Sequence, residues 1–173
     1  MSITIRETEE NDREAILRLV KEAFSDSGRD GQSEVEIVEK TWSLAAQRTG
    51  LELVAVDDQL VVGHILGANA DLDGRAVVGI APLSVSPSRQ RSGIGSALVA
   101  ELLHRAEERD WSLAVVLGDP EYYGRFGFEA AGPYGIFYRP AGISNPHFQV
   151  RPLSRFDQSL RGEVSYCWEV PSS

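Results

Sequence analysis

Residues 86–96, Ser-Pro-Ser-Arg-Gln-Arg-Ser-Gly-Ile-Gly-Ser, stand between an apolar run of strand type and a pattern of helix type. A helix N-terminus leaves its first N–H groups without partners, pointing outward with a partial positive charge. Gly93 and Gly95 remove side chains that would hold an anion away from those amides. Arg89 and Arg91 add mobile positive charge nearby. The chemistry offered is the binding of a phosphate or pyrophosphate. A P-loop would need Lys followed by Ser or Thr after the second glycine, where Ser96 and Ala97 stand instead. A dinucleotide-binding fingerprint needs a tight strand-to-helix turn, and the loop from Val85 to Gly93 is too long for one. A plain glycine-rich helix start is the remaining reading from this loop alone.

A second candidate is Tyr122-Tyr123-Gly124-Arg125-Phe126-Gly127-Phe128. A phenol with a pKa of about 10 keeps its proton at neutral pH and can give it to a leaving group. On a helix the two tyrosines stand about 100° apart, so only one can face a given point. Aromatic packing beside Phe126 and Phe128 is the alternative for both. For a general base, Glu34, Glu36, Glu39, Glu52, His64 and Asp71 are all conceivable, and nothing in their spacing chooses among them. His64 reads equally as a satisfied strand residue, and Glu34, Glu36 and Glu39 as a solvated helix face. Arg125 is placed either on a phosphate or on the surface. No metal site is expected, since His64, His104 and His147 lie on separate elements without ligand spacing. No G-x-S-x-G segment is present.

The elements that must position these residues follow from periodicity. Residues 2–7 alternate like a short strand. Asn11 and Glu14 have capping-box spacing, and Ile16, Leu19, Val20, Ala23 and Phe24 then form one helical stripe. Val35, Val38 and Trp42 suggest a second helix up to about Arg48. Runs 51–56 and 60–68 are separated by Asp57, Asp58 and Gln59 at hairpin spacing, and Asp73-Gly74 turns into a strand at 76–85. A helix is expected from Gly95 to about Arg109, and an almost wholly apolar strand at 112–118. A short helix from Pro120 to Phe126 and a strand near Phe128 come next. Residues 132–160 resist assignment, and a strand is expected at 163–170. The order describes one mixed α/β domain spanning residues 1–173.

Composition narrows the rest. The 173 residues are 42% apolar and 25% charged, ordinary for a globular domain. A net charge of −9 argues against nucleic acid, which calls for a basic stripe, and weakly favours cationic small molecules or amine-bearing peptides as substrates. No run approaches the roughly 20 apolar residues of a membrane span. The acidic start, MSITIRETEENDRE, lacks the bases and apolar core of a secretion signal, so a cytoplasmic protein is expected. Cys167 is the only cysteine, which excludes an internal disulfide and reads as packing.

Gln90, Gly93 and Gly95 match the Q/R-x-x-G-x-G/A loop of the GNAT acyltransferases, and the chain resembles that family beyond the loop. Ala81-Pro82-Leu83-Ser84-Val85-Ser86-Pro87 is similar to the strand preceding the loop. Tyr122 to Phe128 is similar to the Y-x-x-x-G-F segment after the next strand. These pieces occur in the family's order over roughly residues 50–131. The GDPEYYGRFGF wording resembles a bacterial subgroup of predicted acetyltransferases. The resemblance implies a GNAT-like core at about 2–131, with residues 132–173 as C-terminal loop and strand. It also implies a mostly antiparallel sheet splayed between strands 76–85 and 112–118.

The implied co-substrate is acetyl-CoA, held by Leu83, Val85, Gln90, Arg91, Ser92, Gly93, Gly95 and Ser96. A strand amide near Leu83 would meet the thioester oxygen, and Tyr123 would protonate the departing thiolate. The implied activity is N-acetylation of a primary amine on a small molecule or peptide by direct attack. The partner set is then that amine, without nucleic acid or membrane, in a monomer or homodimer. A non-catalytic module that binds or senses acyl-CoA is the alternative.

Overall fold

The computed structural model describes residues 2–25, 30–45 and 48–169. The chain divides into two compact units, residues 1–67 with 81–102 and residues 68–80 with 103–173.

The first unit holds β1 (Ile3–Glu7), α1 (Arg13–Ala23), α2 (Gln32–Ser43), β2 (Arg48–Asp57), the first part of β3 (Leu60–Leu72), the last part of β4 (Arg75–Val85) and most of α3 (Ile94–Glu108). Its strands run in the order β1-β2-β3-β4. β1 lies antiparallel on β2, from Ile3↔Asp57 to Glu7↔Leu53. Asp58 and Gln59, at φ 48° and 68°, supply the pair of left-handed residues whose twist suits a two-residue hairpin. Ile16, Leu19 and Val20 of α1 and Val35 and Val38 of α2 are buried, as their spacing predicts. The cap differs from expectation. Glu9 N–H donates to Asp12 Oδ2 at 2.7 Å, so the box is Glu9–Asp12 rather than Asn11–Glu14. Asp12 prevails because the Arg6 guanidinium meets the same carboxylate at 2.7 Å, fixing it at the helix start. α2 stops at Ser43, short of the expected Arg48, which opens β2 instead.

β3 is the platform for α3. A Cβ built on Gly63 would come within 2.8 Å of Ile94 and 2.9 Å of Leu98, and one on Gly67 within 3.1 Å of Leu102. The odd positions of β3 therefore face α3, and alternation sends His64 and Leu66 to the opposite face.

The second unit holds the last part of β3, the first part of β4, β5 (Leu113–Leu117), α4 (Pro120–Tyr123), β6 (Glu129–Ala130), β7 (Ile136–Phe137), β8 (Phe148–Pro152) and β9 (Gly162–Tyr166). β5 is parallel to β4, from Val78↔Ala114 to Ile80↔Val116, and antiparallel to β8, from Leu113↔Pro152 to Leu117↔Phe148. Ladders on both edges and buried Leu113, Ala114, Val115 and Val116 account for its apolar run. The ladder with β4 ends at Ile80, and Pro82, with no N–H to give, follows two residues later. β6 pairs with β8, and β9 pairs antiparallel with β3 and parallel with β7.

β7 and β8 lie in the stretch that the sequence left unassigned. Gln149, polar at a buried position, hides the strand pattern. Its amide donates to the carbonyls of Gly118 at 3.1 Å and His147 at 3.3 Å, which removes the cost of burying it. β9 ends at Tyr166 rather than 170, because Glu169 folds back to accept the Tyr166 N–H at 3.0 Å. Cys167 is buried and forms no disulfide. Tyr134, Tyr138, Phe156 and Trp168 pack on the core of this unit. Among the described residues no helix is long and apolar enough to cross a membrane.

Gly63→Val should lower stability by about 1–3 kcal/mol, because α3 must shift to admit the side chain. Urea unfolding followed by circular dichroism measures it, and an unchanged midpoint would contradict the seating of α3 on β3.

Candidate active site

All eight residues assigned to the co-substrate lie on one strand–loop–helix segment of the first unit. Leu83 and Val85 are half-exposed and alternate with buried Pro82 and Ser84, so one row of the strand faces outward. Gln90 Nε2 donates to the Val85 carbonyl at 3.3 Å, tying the loop back to the strand. Ser92 Oγ donates to the Arg89 carbonyl. Gly93 has φ 89°, a left-handed value that costs an L residue about 1–2 kcal/mol. A Cβ there would meet nothing within 4 Å, so the space beside it is open. Ala97 N–H closes the first helical bond on the Gly93 carbonyl at 3.0 Å, which makes Gly93 the cap and leaves Ile94, Gly95 and Ser96 as the first amides of α3. Arg91 is exposed at φ 64°. Arg89 departs from expectation. Its guanidinium bridges Asp57 at 2.6 Å, so it braces the loop against the β2 end instead of supplying mobile charge. Open space at Gly93, the helix start that follows it and the exposed Arg91 side chain fit a phosphate or pyrophosphate.

Tyr123 belongs to the second unit. Asp119 Oδ1 accepts the Glu121 N–H at 3.0 Å and Pro120 takes the first helical position, an arrangement suited to a helix start. Tyr123 N–H then donates to the Asp119 carbonyl at 3.0 Å. Its ring lies so close to Gly118 that a Cβ there would come within 2.6 Å of Cε2. Edge contacts to Tyr122 at 5.0 Å and Phe128 at 5.6 Å complete the seat. Its hydroxyl makes no hydrogen bond to the described residues. Burial, with Tyr122 adding to it, pushes the phenol pKa well above the ordinary value, so the Tyr123 hydroxyl keeps its proton at any physiological pH. Arg125 lies over the rings of Tyr122, at 4.8 Å, and Phe126, at 5.5 Å.

Two of the candidate bases meet in the first unit. His64 Nε2 and Glu52 Oε1 are 2.8 Å apart. Trp42 Nε1 donates to both carboxylate oxygens, at 2.9 and 3.1 Å, and Thr8 Oγ1 donates to Oε2 at 3.2 Å. Burial pushes the Glu52 carboxyl up, but the bonds from His64, Trp42 and Thr8 outweigh it, and the pKa lies below the ordinary 4.5. Sequence reasoning missed Trp42 and Thr8 as partners. Thr8 was within reach of a register argument, since its N–H donates to the Glu52 carbonyl at 3.1 Å as β1 runs past β2. The other candidates stay apart. Glu36 and Glu39 are exposed on α2, and Asp71 accepts the Gly74 N–H at 3.1 Å inside a turn. Among the described residues no group of three or more His, Cys, Asp or Glu is placed to hold a metal ion.

The model of the acetyltransferase (GNAT) domain matches residues 4–131. Uncharacterized N-acetyltransferase YhbS of Escherichia coli K12 is 37% identical over 115 residues, covering 65% of this chain and 67% of that protein. The crystal structure of Escherichia coli YhbS in complex with CoA superposes with a TM-score of 0.83 at 32% identity, over 95% of this chain and 89% of that one. A GNAT-family acetyltransferase of Brucella melitensis in complex with acetyl-CoA gives 0.79 at 31% identity, over 95% and 96%.

Glu52→Gln should cost about 1–3 kcal/mol at pH 7, because it weakens the acceptor shared by three donors. A carboxyl with a lowered folded pKa stabilises fully above its unfolded value and loses that contribution as pH falls through the folded one. The gap between wild type and variant should therefore close as pH is lowered below 4.5. Urea midpoints at pH 7 and in the acid range measure it.

Proposed function

The chain belongs to the GNAT acetyltransferase family, and on that premise we propose that it transfers an acetyl group from acetyl-CoA to a primary amine of a small molecule or peptide in the cytoplasm. The observation that carries the reading is the Gly93 cap, a left-handed glycine with open space beside it at the start of α3, following the half-exposed row of Leu83 and Val85. Gln90, Arg91, Ser92, Gly93, Gly95 and Ser96 would hold the phosphates, and the backbone of Leu83 and Val85 would pair with the amides of the pantetheine arm. Bound acetyl-CoA would supply a thioester, whose C–S bond breaks as the amine nitrogen, deprotonated through water, forms the new C–N bond. That nitrogen loses a further N–H proton to water, from which Tyr123 regains its own. The Leu83 amide is the proposed donor to the carbonyl oxygen as negative charge gathers on it. Tyr123 is the proposed acid, its O–H passing a proton to the departing sulfur. Its hydroxyl keeps its proton and is unbonded among the described residues, which leaves that proton available.

Acetyl-CoA at about one hundred times its Kd should raise the melting temperature by about 5–10 °C, with ATP and NAD giving no such shift. Tyr123→Phe should lower kcat about 100-fold and leave CoA affinity unchanged. Full turnover in the Phe variant would remove Tyr123 from the mechanism, and CoA binding without turnover on any amine would favour a sensing module. Gly93→Ala should weaken CoA about tenfold through strain at the cap.

A further inference from the structure

Gly118, the residue that follows β5, holds two side chains in place. One is the phenol of Tyr123. A Cβ built on Gly118 would come within 2.6 Å of its Cε2 and 3.7 Å of its Cζ, the carbon that bears the hydroxyl. The other is the imidazole of His147. Gly118 N–H donates to the His147 carbonyl at 2.9 Å, and His147 Nδ1 meets the Gly118 carbonyl at 3.2 Å. Gln149 Nε2 donates to the same carbonyl at 3.1 Å. All four residues belong to the second unit.

The partner of the His147 ring fixes its hydrogens. A backbone carbonyl accepts and never donates, so Nδ1 carries a hydrogen. A neutral imidazole has only one, which leaves a lone pair on Nε2. Nε2 makes no hydrogen bond to the described residues, and the residue is exposed. The loop that presents it is held on both sides. Asn145 Oδ1 accepts the His147 N–H at 2.8 Å, Asn145 Nδ2 donates to the Ala141 carbonyl at 2.9 Å, and the next residue, Phe148, is buried. The other two histidines are engaged through Nε2, His64 with Glu52 at 2.8 Å and His104 with Glu108 at 2.9 Å.

Acetyl transfer to an amine needs such a lone pair. The amine arrives as an ammonium and must lose a proton before its nitrogen can attack. Tyr123 cannot take that proton, because its hydroxyl already holds one. Glu52 accepts from His64, Trp42 and Thr8, and its pKa lies below the ordinary value, which makes it a weak base. Imidazole is the side chain that most often serves as a general base, and an exposed one can pass its proton on to solvent.

We propose that His147 Nε2 is the general base of the transfer. The water that takes the proton of the bound ammonium hands it to the Nε2 lone pair, which leaves a neutral amine to attack and an imidazolium on the loop. The exposed imidazolium then releases that proton to solvent, and the histidine returns unchanged. The proposal rests on the acetyl-transfer reading and supplies its base. Gly118 then positions both proton carriers, the acid Tyr123 against its Cα and the base His147 on its carbonyl. A histidine that only locked the loop onto Gly118 would use Nδ1 alone.

Asparagine separates the two roles, because its amide N–H can replace Nδ1–H while it has no counterpart of Nε2. With acetyl-CoA and excess n-butylamine, His147→Asn should lower kcat about 100-fold and leave CoA affinity within about twofold. Added imidazole should raise the rate of His147→Ala about tenfold. Full kcat in the Asn variant overturns the proposal, even where the Ala variant is impaired. A second measurement needs no acceptor. Diethyl pyrocarbonate acylates unprotonated imidazole nitrogen, and peptide mass spectrometry reads each histidine separately. Saturating acetyl-CoA should slow the labelling of His147 about fivefold and leave the exposed His104 unchanged. Equal labelling of His147 with and without bound acetyl-CoA overturns the proposal, and this result decides alone if the wild type does not acetylate n-butylamine. Failure of acetyl-CoA to raise the wild-type melting temperature would instead sink the acetyl-transfer reading, and the base with it.

Discussion

Helix α3 lies so close on β3 that a Cβ at Gly63 would come within 2.8 Å of Ile94 and 2.9 Å of Leu98, and the layout of the first unit depends on that approach. Glycines at 63 and 67 let Ile94, Leu98 and Leu102 sit against the strand backbone, which burial of these three apolar side chains stabilises. The helix start is fixed as a consequence, because Ile94 is both the first residue of α3 and part of this contact. Gly93, one residue earlier, is left outside it at φ 89° with open space around it. One packing contact thus decides where the helix start beside the loop stands. It also claims the odd face of β3, so the even face, with His64 and Leu66, is free to build the Glu52 cluster.

The two faces of this strand carry opposite electrostatics. At the loop the charge is positive and made by backbone, with Arg91 outside and Arg89 neutralised on Asp57. On the other face the charge is negative and made by one side chain, Glu52, which burial alone would discharge and which three donors keep ionised. Family membership accounts for an anion-binding loop. The carboxylate beside Trp42 is held by His64, Trp42 and Thr8.

Tyr123 depends on a different kind of constraint. Gly118, Asp119 and Pro120 turn the chain out of β5 into α4, and the ring of Tyr123 then rests on Gly118, where any side chain would collide with it. Its carbonyl neighbours are occupied as well, with Gly118 O taking the side chains of His147 and Gln149. Thus β8, a strand that pairs with β5, helps hold the turn that presents the tyrosine.

Local pattern was enough for the elements whose signal is local. The helical stripe of α1, both hairpin turns, the apolar β5 and the glycine loop before α3 each depend on residues a few positions apart, and each appears where periodicity or turn chemistry put it. The family could be read for the same reason, since Gln90, Gly93 and Gly95 act through backbone geometry that the residue types themselves dictate. What tertiary structure decided is every partnership across long sequence separation. Gln149 becomes a core residue only because Gly118 and His147 present carbonyls to it. Arg89 leaves the phosphate site only because Asp57, at the end of β2, meets its guanidinium. Glu52 and His64 were two names in a list of possible bases, and they became a dyad when β1, β2, β3 and α2 brought Thr8, Trp42 and both residues to the same place. Hydrogen bonds and ion pairs need distances of about 3 Å, and a sequence records residue types and spacing along the chain, which set such distances only within a turn or a helix.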